Sequence, residues 1–93
     1  MTIGVLQIEL DIPEAQSLKD KRRVVKSLKD RISHGHNVSI AEVGALEAHQ
    51  RSIIAIAMVA NEKSYVESGL SKLVDLVRMV PQANLLDYQT EFM

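Results

Sequence analysis

The sequence predicts an α+β fold in which two helices cover one face of a four-stranded antiparallel sheet. Three observations support this prediction. Four segments have the apolar pattern of strands, two segments repeat apolar residues with a helical period, and their order is strand-helix-strand-strand-helix-strand. This order is typical of the split βαβ, or ferredoxin-like, arrangement. The chain has 93 residues, so we expect one domain spanning 1–93.

The first strand, 3–12, is predicted from strict alternation. Its even-numbered residues from Leu6 to Ile12 are apolar and the residues between them are polar, which is typical of a half-buried strand. Pro13 ends the strand because proline cannot donate to the ladder. The other strands are predicted over 37–43, 51–60 and 83–92, and a hairpin connection, Gly44 to Gln50, joins the second to the third.

The first helix is predicted over 17–34. Ser17 and Asp20 have the spacing of a capping box, and Gly35 supplies the left-handed residue that commonly follows a helix. An apolar stripe at helical spacing is formed by Leu18, Val25, Leu28 and Ile32.

The second helix is predicted to begin at a cap on Asn61 and to end before Pro81. Its apolar stripe comprises Val66, Leu70, Leu73, Val77 and Val80. On the last strand, alternation places four side chains on one face: Leu86, Tyr88, Thr90 and Phe92.

Composition excludes several classes of protein. There is no cysteine, so disulfides, thiolate metal sites and cysteine nucleophiles are excluded. The longest apolar run, Ile53 to Ala60, has eight residues and is too short to cross a bilayer. The first residues carry no basic segment of the kind that opens a secretory signal. We therefore expect a cytoplasmic protein with no membrane partner.

Three stretches of the sequence resemble the YlxP-like family of small bacterial proteins of uncharacterised function. They are the segments 17–23, SLKDKRR, 37–43, NVSIAEV, and 85–88, LLDY, and the resemblance runs along nearly the whole chain. It implies a ferredoxin-like fold. Genes of that family often lie beside those for translation initiation and ribosome maturation factors, which implies an RNA-linked role. The resemblance brings no catalytic residues.

Charge is distributed unevenly along the chain. The segment from Ser17 to His36 has seven basic and two acidic residues, a charge of +5, whereas the rest has four basic and ten acidic residues, a charge of −6. On a helical wheel, five of the basic residues share an arc of about 120°. They are Lys19, Arg22, Arg23, Lys26 and Lys29. One interpretation is a surface that contacts phosphates. The other is a solvated helix face whose long side chains cover apolar neighbours.

Lys21 falls inside the apolar stripe of the same helix, between Val25 and Leu28 on the wheel. It either extends its ammonium to solvent at the sheet edge or meets an anionic group. That group is a strand carboxylate such as Asp11, or an anion bound at the start of the helix.

No constellation of residues predicts catalysis, a cofactor or a metal site. His34 and His36 flank a glycine turn, and no carboxylate stands at a spacing that would complete a site with them or with His49. Glu42 and Glu47 flank the hairpin, but nothing in the sequence fixes their separation. We therefore predict a protein that is not an enzyme.

The third strand is apolar on both faces, which predicts a second chain as the cover for the face that the helices leave open. The residues of this predicted homo-oligomer interface are Ile3, Val5, Ile53, Ala55, Ala57 and Val59. The two central strands carry no aromatic residue, so RNA recognition by base stacking on the sheet is disfavoured.

Two functions follow from these patterns. The first is an RNA- or ribosome-associated binding protein that acts through the basic helix. The alternative is a self-associating module with a structural or small-ligand-binding role.

Overall fold

A computed structural model describes residues 1–93. The elements, in chain order, are β1 (Thr2–Asp11), α1 (Leu18–Ser33), β2 (Val38–Gly44), β3 (Arg51–Ala60), α2 (Lys63–Arg78) and β4 (Asn84–Phe92). The strands form one antiparallel sheet in the order β2-β3-β1-β4. The predicted ferredoxin-like α+β fold is therefore confirmed.

The core lies between the sheet and the two helices. It is built from the even-numbered residues of β1 and β3 and from the apolar stripes of both helices. Strand β1 and helix α2 approach each other most closely at Gly4. A Cβ at this position would collide with the side chain of Val66 and would lie 2.9 Å from Cδ1 of Leu70. The missing side chain lets α2 rest directly on β1.

The ends of α1 match the sequence prediction, but the start of α2 does not. Ser17 Oγ accepts a hydrogen bond from the Asp20 amide at 3.1 Å, as the sequence predicts, and the Asp20 carboxylate accepts from the amide of Gln16. At the other end of α1, Gly35 has a φ of 77°, the left-handed conformation expected there. The predicted cap at Asn61 is wrong. The N-cap of α2 is Glu62, whose side chain makes no capping bond.

A bulge changes the last strand. Tyr88 lies opposite Ile8, but Leu85 lies opposite Leu10, because β4 contains one extra residue between these pairs. Leu85 therefore packs against the core, while Leu86 keeps 45% of its surface exposed. The prediction that Leu86 shares the face of Tyr88 is wrong because alternation does not continue through a bulge.

Candidate functional site

The five basic residues of the predicted phosphate-contacting surface lie along α1 on the side that does not face the core. Lys19, Arg22, Arg23 and Lys26 are exposed, and Lys29 is half-buried. We call this set the basic face. It is turned outward because the opposite side of the same helix is anchored in the core by Lys21, Val25, Leu28 and Ile32.

Only one member of the basic face is in an ion pair. Lys26 Nζ lies 3.1 Å from Asp30 Oδ2, one helical turn further on, and both side chains are highly exposed. The other four residues make no salt bridge. Four cations on one helix face are thus available to an anionic partner.

Lys21, on the inner side of α1, is completely buried. Its ammonium lies 3.0 Å from Glu42 Oε2 and donates to the carbonyl oxygens of Ala45 and Leu46 at 2.9 and 3.3 Å. These three acceptors use all three ammonium protons. Glu42 also accepts a 2.7 Å hydrogen bond from Ser52 Oγ.

This arrangement corrects the interpretation of Lys21 as a lysine that reaches solvent. The alternative prediction, that Lys21 pairs with a carboxylate on a strand, is correct, but the carboxylate is that of Glu42 and not that of Asp11. A sequence signal for it exists, because Val38, Ile40 and Glu42 alternate along β2 and so share the core-facing side. Asp11 faces Asn84 instead, whose amide approaches it at 3.4 Å.

Two loops meet beside the start of α1. Gln50, at the end of the 45–50 hairpin loop, donates through its side chain to the carbonyl oxygens of Pro13 and Ala15, at 3.0 and 3.1 Å. Its backbone carbonyl accepts from the Ile12 amide at 2.9 Å. Together with the bonds of Lys21, these contacts fix the hairpin against the segment that leads into α1. The hairpin therefore helps to hold the start of the helix that carries the basic face.

The side of the sheet away from the helices carries the predicted interface residues together. Ile3 lies opposite Val59 and Val5 lies opposite Ala57, and Ile53 and Ala55 continue the same face along β3. Val59 is 46% exposed, and the other five are half-buried. We call this set the open face. Its far part turns polar, since Glu9 lies opposite Asp87 on the neighbouring strand.

The sequence patterns did not predict the groove between α2 and β4. A groove of about 470 Å³ runs between α2 and β4, with Leu70 and Val74 among its lining residues and Tyr88 and Phe92 along the strand. Sequence alternation places these aromatic residues on one face, but it does not reveal that α2 packs chiefly on β1 and β3 and leaves most of β4 exposed.

No group of three or more histidine, aspartate or glutamate side chains is close enough to hold a metal ion. Of the two glutamates that flank the hairpin, Glu42 is engaged by Lys21 and Ser52. Neither helix is long and apolar enough to span a lipid bilayer.

The fold and these surfaces define a small ferredoxin-like protein with a basic helix. A solved structure of the same fold is the de novo designed protein Foldit4, with a TM-score of 0.55 and 11% identity over 98% of this chain and 96% of that one. The chain belongs to the family described as "Protein of unknown function (DUF503)", whose model matches residues 3–90. It is also 32% identical to the uncharacterized protein YlxP of Bacillus subtilis (strain 168), over 97% of this chain and 98% of that protein. The resemblance to the YlxP-like family is confirmed.

Proposed function

We propose that this protein is a non-enzymatic RNA-binding protein whose basic face contacts phosphate groups. The observation that carries the proposal is the outward arc of five cations on α1, four of them without an intramolecular partner. A cation that is not paired within the protein can release counterions from a nucleic acid without first losing an internal contact.

The helix suits a nucleic-acid backbone better than exposed bases. With 16 residues, α1 is about 24 Å long at the usual rise of about 1.5 Å per residue, so its cations can reach several successive phosphates. The central strands carry no aromatic side chain on which bases could stack. Recognition is then governed by backbone shape and charge, which favours structured RNA such as that of a ribosomal subunit.

Charge reversal tests the proposal. Arg22→Glu with Lys26→Glu should abolish binding to a structured RNA at low salt without unfolding the protein, because both side chains are exposed. The matched control is Arg31→Glu with Lys72→Glu, which changes the net charge equally but lies outside the basic face. Equal affinities for the two double variants, or no binding by the wild type at low salt, would overturn the proposal.

Self-association through the open face is the second candidate. It is favoured by the apolar pairs Ile3–Val59 and Val5–Ala57, which stand on a sheet face that no helix of this chain covers. A second copy could cover these side chains by packing sheet against sheet. Light scattering at high micromolar concentration tests it, since a monomer there would remove this candidate.

A further inference from the structure

Strand β4 is an exposed edge whose regular part, from Tyr88 to Phe92, follows its bulge and carries one charged residue, Glu91. It has nine residues, is the outermost strand next to β1, and carries no lysine, arginine or proline, the residues that commonly block edge pairing. On its helix-facing side, Tyr88 and Phe92 keep 45% and 36% of their surfaces exposed. The other edge, β2, is shorter and is bulged near Val43.

The ladder between β1 and β4 shows which backbone groups of β4 point away from β1. Ile3 and Met93 exchange two hydrogen bonds, of 3.3 and 2.8 Å, so they form a hydrogen-bonded pair. Such pairs alternate along an antiparallel ladder. The odd-numbered residues of this part of β4 therefore direct their N–H and C=O groups to β1, and Tyr88, Thr90 and Phe92 direct theirs to the outer edge, where the Tyr88 N–H donates to Asp87 Oδ1 at 2.8 Å.

We propose that this edge binds the same edge of a second copy, antiparallel, about a two-fold axis at Thr90. Thr90 then faces Thr90 of the second copy, and Tyr88 faces its Phe92. The three outward-facing residues of each copy form three hydrogen-bonded pairs, in which the Tyr88 N–H exchanges the Asp87 carboxylate for the Phe92 carbonyl of the second copy. The two sheets become one sheet of eight strands. The helices of both copies stay on the same side.

Charge selects this register among the possible ones. An axis at Gln89 would place Asp87 directly opposite Glu91 of the second copy, and like charges in facing positions are unfavourable. An axis at Asp87 would place Asp87 opposite Asp87 of the second copy, and an axis at Glu91 would do the same with Glu91. With the axis at Thr90, Gln89 faces Glu91 of the second copy, and an amide can donate to a carboxylate.

The bulge and the end of the strand exclude the remaining alternatives. An axis at Phe92 would leave Tyr88 and Thr90 without a partner on the second copy, since β4 ends at Phe92. An axis at Tyr88 would bring the irregular segment around Leu86 into the ladder, where regular pairing is lost. The axis at Thr90 uses only the regular segment from Tyr88 onward.

The pairing also covers the aromatic residues. Tyr88 and Phe92 of facing strands would stand side by side as cross-strand neighbours, which is a favourable arrangement for rings. Each ring already has a cation beside it, since Lys63 lies 5.1 Å from the Phe92 ring centre and Arg78 lies 5.7 Å from that of Tyr88. The interface uses neither the basic face nor the open face, so it is independent of both candidate functions.

Cysteine cross-linking tests the register, because the natural chain contains no cysteine. In Thr90→Cys the facing Cα atoms would be about 5.5 Å apart, within disulfide range. In the control, Gln89→Cys, the same residue of the two copies would be displaced along the strands to about 8 Å, beyond that range. In a glutathione redox buffer, Thr90→Cys should form a covalent dimer at least ten-fold faster than Gln89→Cys. Equal rates would overturn the proposal.

A second pair of variants tests the edge without cross-linking. Thr90→Lys would place two ammonium groups face to face and should raise the dimer dissociation constant at least ten-fold. Gln89→Lys adds the same charge one residue away, facing Glu91 of the second copy, and should leave the dimer intact. A monomeric wild type at high micromolar concentration would overturn the proposal. So would a dimer that Ala57→Asp dissociates and Thr90→Lys does not, since the interface would then be the open face.

Discussion

The ammonium of Lys21 lies 3.0 Å from Oε2 of Glu42, with the lysine side chain fully buried and the glutamate side chain 17% exposed. An ion pair in such surroundings is weak evidence for stability, because desolvation offsets much of the attraction. The ion pair matters more for the position of α1 relative to the hairpin loop than for stability. The lysine belongs to α1, and its three partners belong to β2 and the hairpin loop, so a single side chain joins the helix to the loop beside its start.

We predict that Lys21→Ala destabilises the protein strongly. The substitution leaves the Glu42 carboxylate and two loop carbonyls without their donor, and breaking a buried ion pair in this way costs about 3–5 kcal/mol. Urea unfolding followed by circular dichroism measures this loss. Lys19→Ala, two residues away on the exposed side, is the control and should unfold with the wild type.

The double variant Lys21→Met with Glu42→Leu should recover much of the stability lost in Lys21→Ala, because no buried charge is left unpaired. A double variant that is less stable than Lys21→Ala would contradict this account of the ion pair.

The second prediction concerns the start of each helix. Ser17→Ala removes the acceptor for the Asp20 amide and should cost about 1 kcal/mol, the usual effect of losing an N-cap side chain. Glu62→Ala is the matched control, since Glu62 is the N-cap residue of α2 but makes no capping bond. Thermal unfolding should show a lower midpoint for Ser17→Ala alone. Equal shifts would mean that the Ser17 hydroxyl does not stabilise α1.

The sequence predicted the fold well because local patterns determine most of it. Alternation around Ile8 and Ile56, the helical stripe around Leu28 and the stop at Gly35 each have one simple explanation, and their order leaves one common topology. Errors occurred where the chain departs from a regular period. The bulge before Tyr88 shifts Leu86, and the cap of α2 falls one residue after Asn61.

The position of a functional residue was predictable from the sequence only where it depends on a single helix or strand. The outward position of Arg22 follows from the period of a single helix. The partner of Lys21 depends on two elements: alternation along β2 puts Glu42 on the core-facing side, but only the folded chain brings that side against α1. The exposure of Tyr88 and Phe92 likewise depends on how far α2 extends across the sheet, which no local pattern contains.

The third prediction tests the open face. Ala57→Asp places a carboxylate opposite Val5, in the middle of the apolar part of that face. If a second copy packs there, the variant should be monomeric under conditions where the wild type associates, because an unpaired carboxylate in an apolar interface is strongly disfavoured. Sedimentation equilibrium measures this difference. Gln82→Asp, which adds the same charge at an exposed position outside the sheet, is the control and should associate like the wild type.

The fourth prediction concerns the salt dependence of RNA binding. Each phosphate contact should add roughly 0.7–0.9 to the slope of log affinity against log salt, so five contacts give a slope of about −4. Raising salt from about 50 to about 200 mM should then weaken binding by a few hundred-fold. Filter binding across a salt series measures the slope. A slope near zero would show that the basic face does not contact phosphates.

The last prediction follows from the one ion pair on the basic face. Asp30 lies 3.1 Å from Lys26 and competes with an RNA phosphate for the same ammonium. Asp30→Asn removes the competitor and should tighten binding a few-fold at low salt, an effect that should shrink as salt rises, because added salt weakens interactions between exposed charges. Glu62→Gln, at the start of α2, makes the same change in net charge away from the basic face and should tighten binding less. If both variants bind equally tightly, total charge rather than the position of Lys26 governs the affinity. If Asp30→Asn binds more weakly than the wild type, the pair orients Lys26 for its phosphate instead of occupying it.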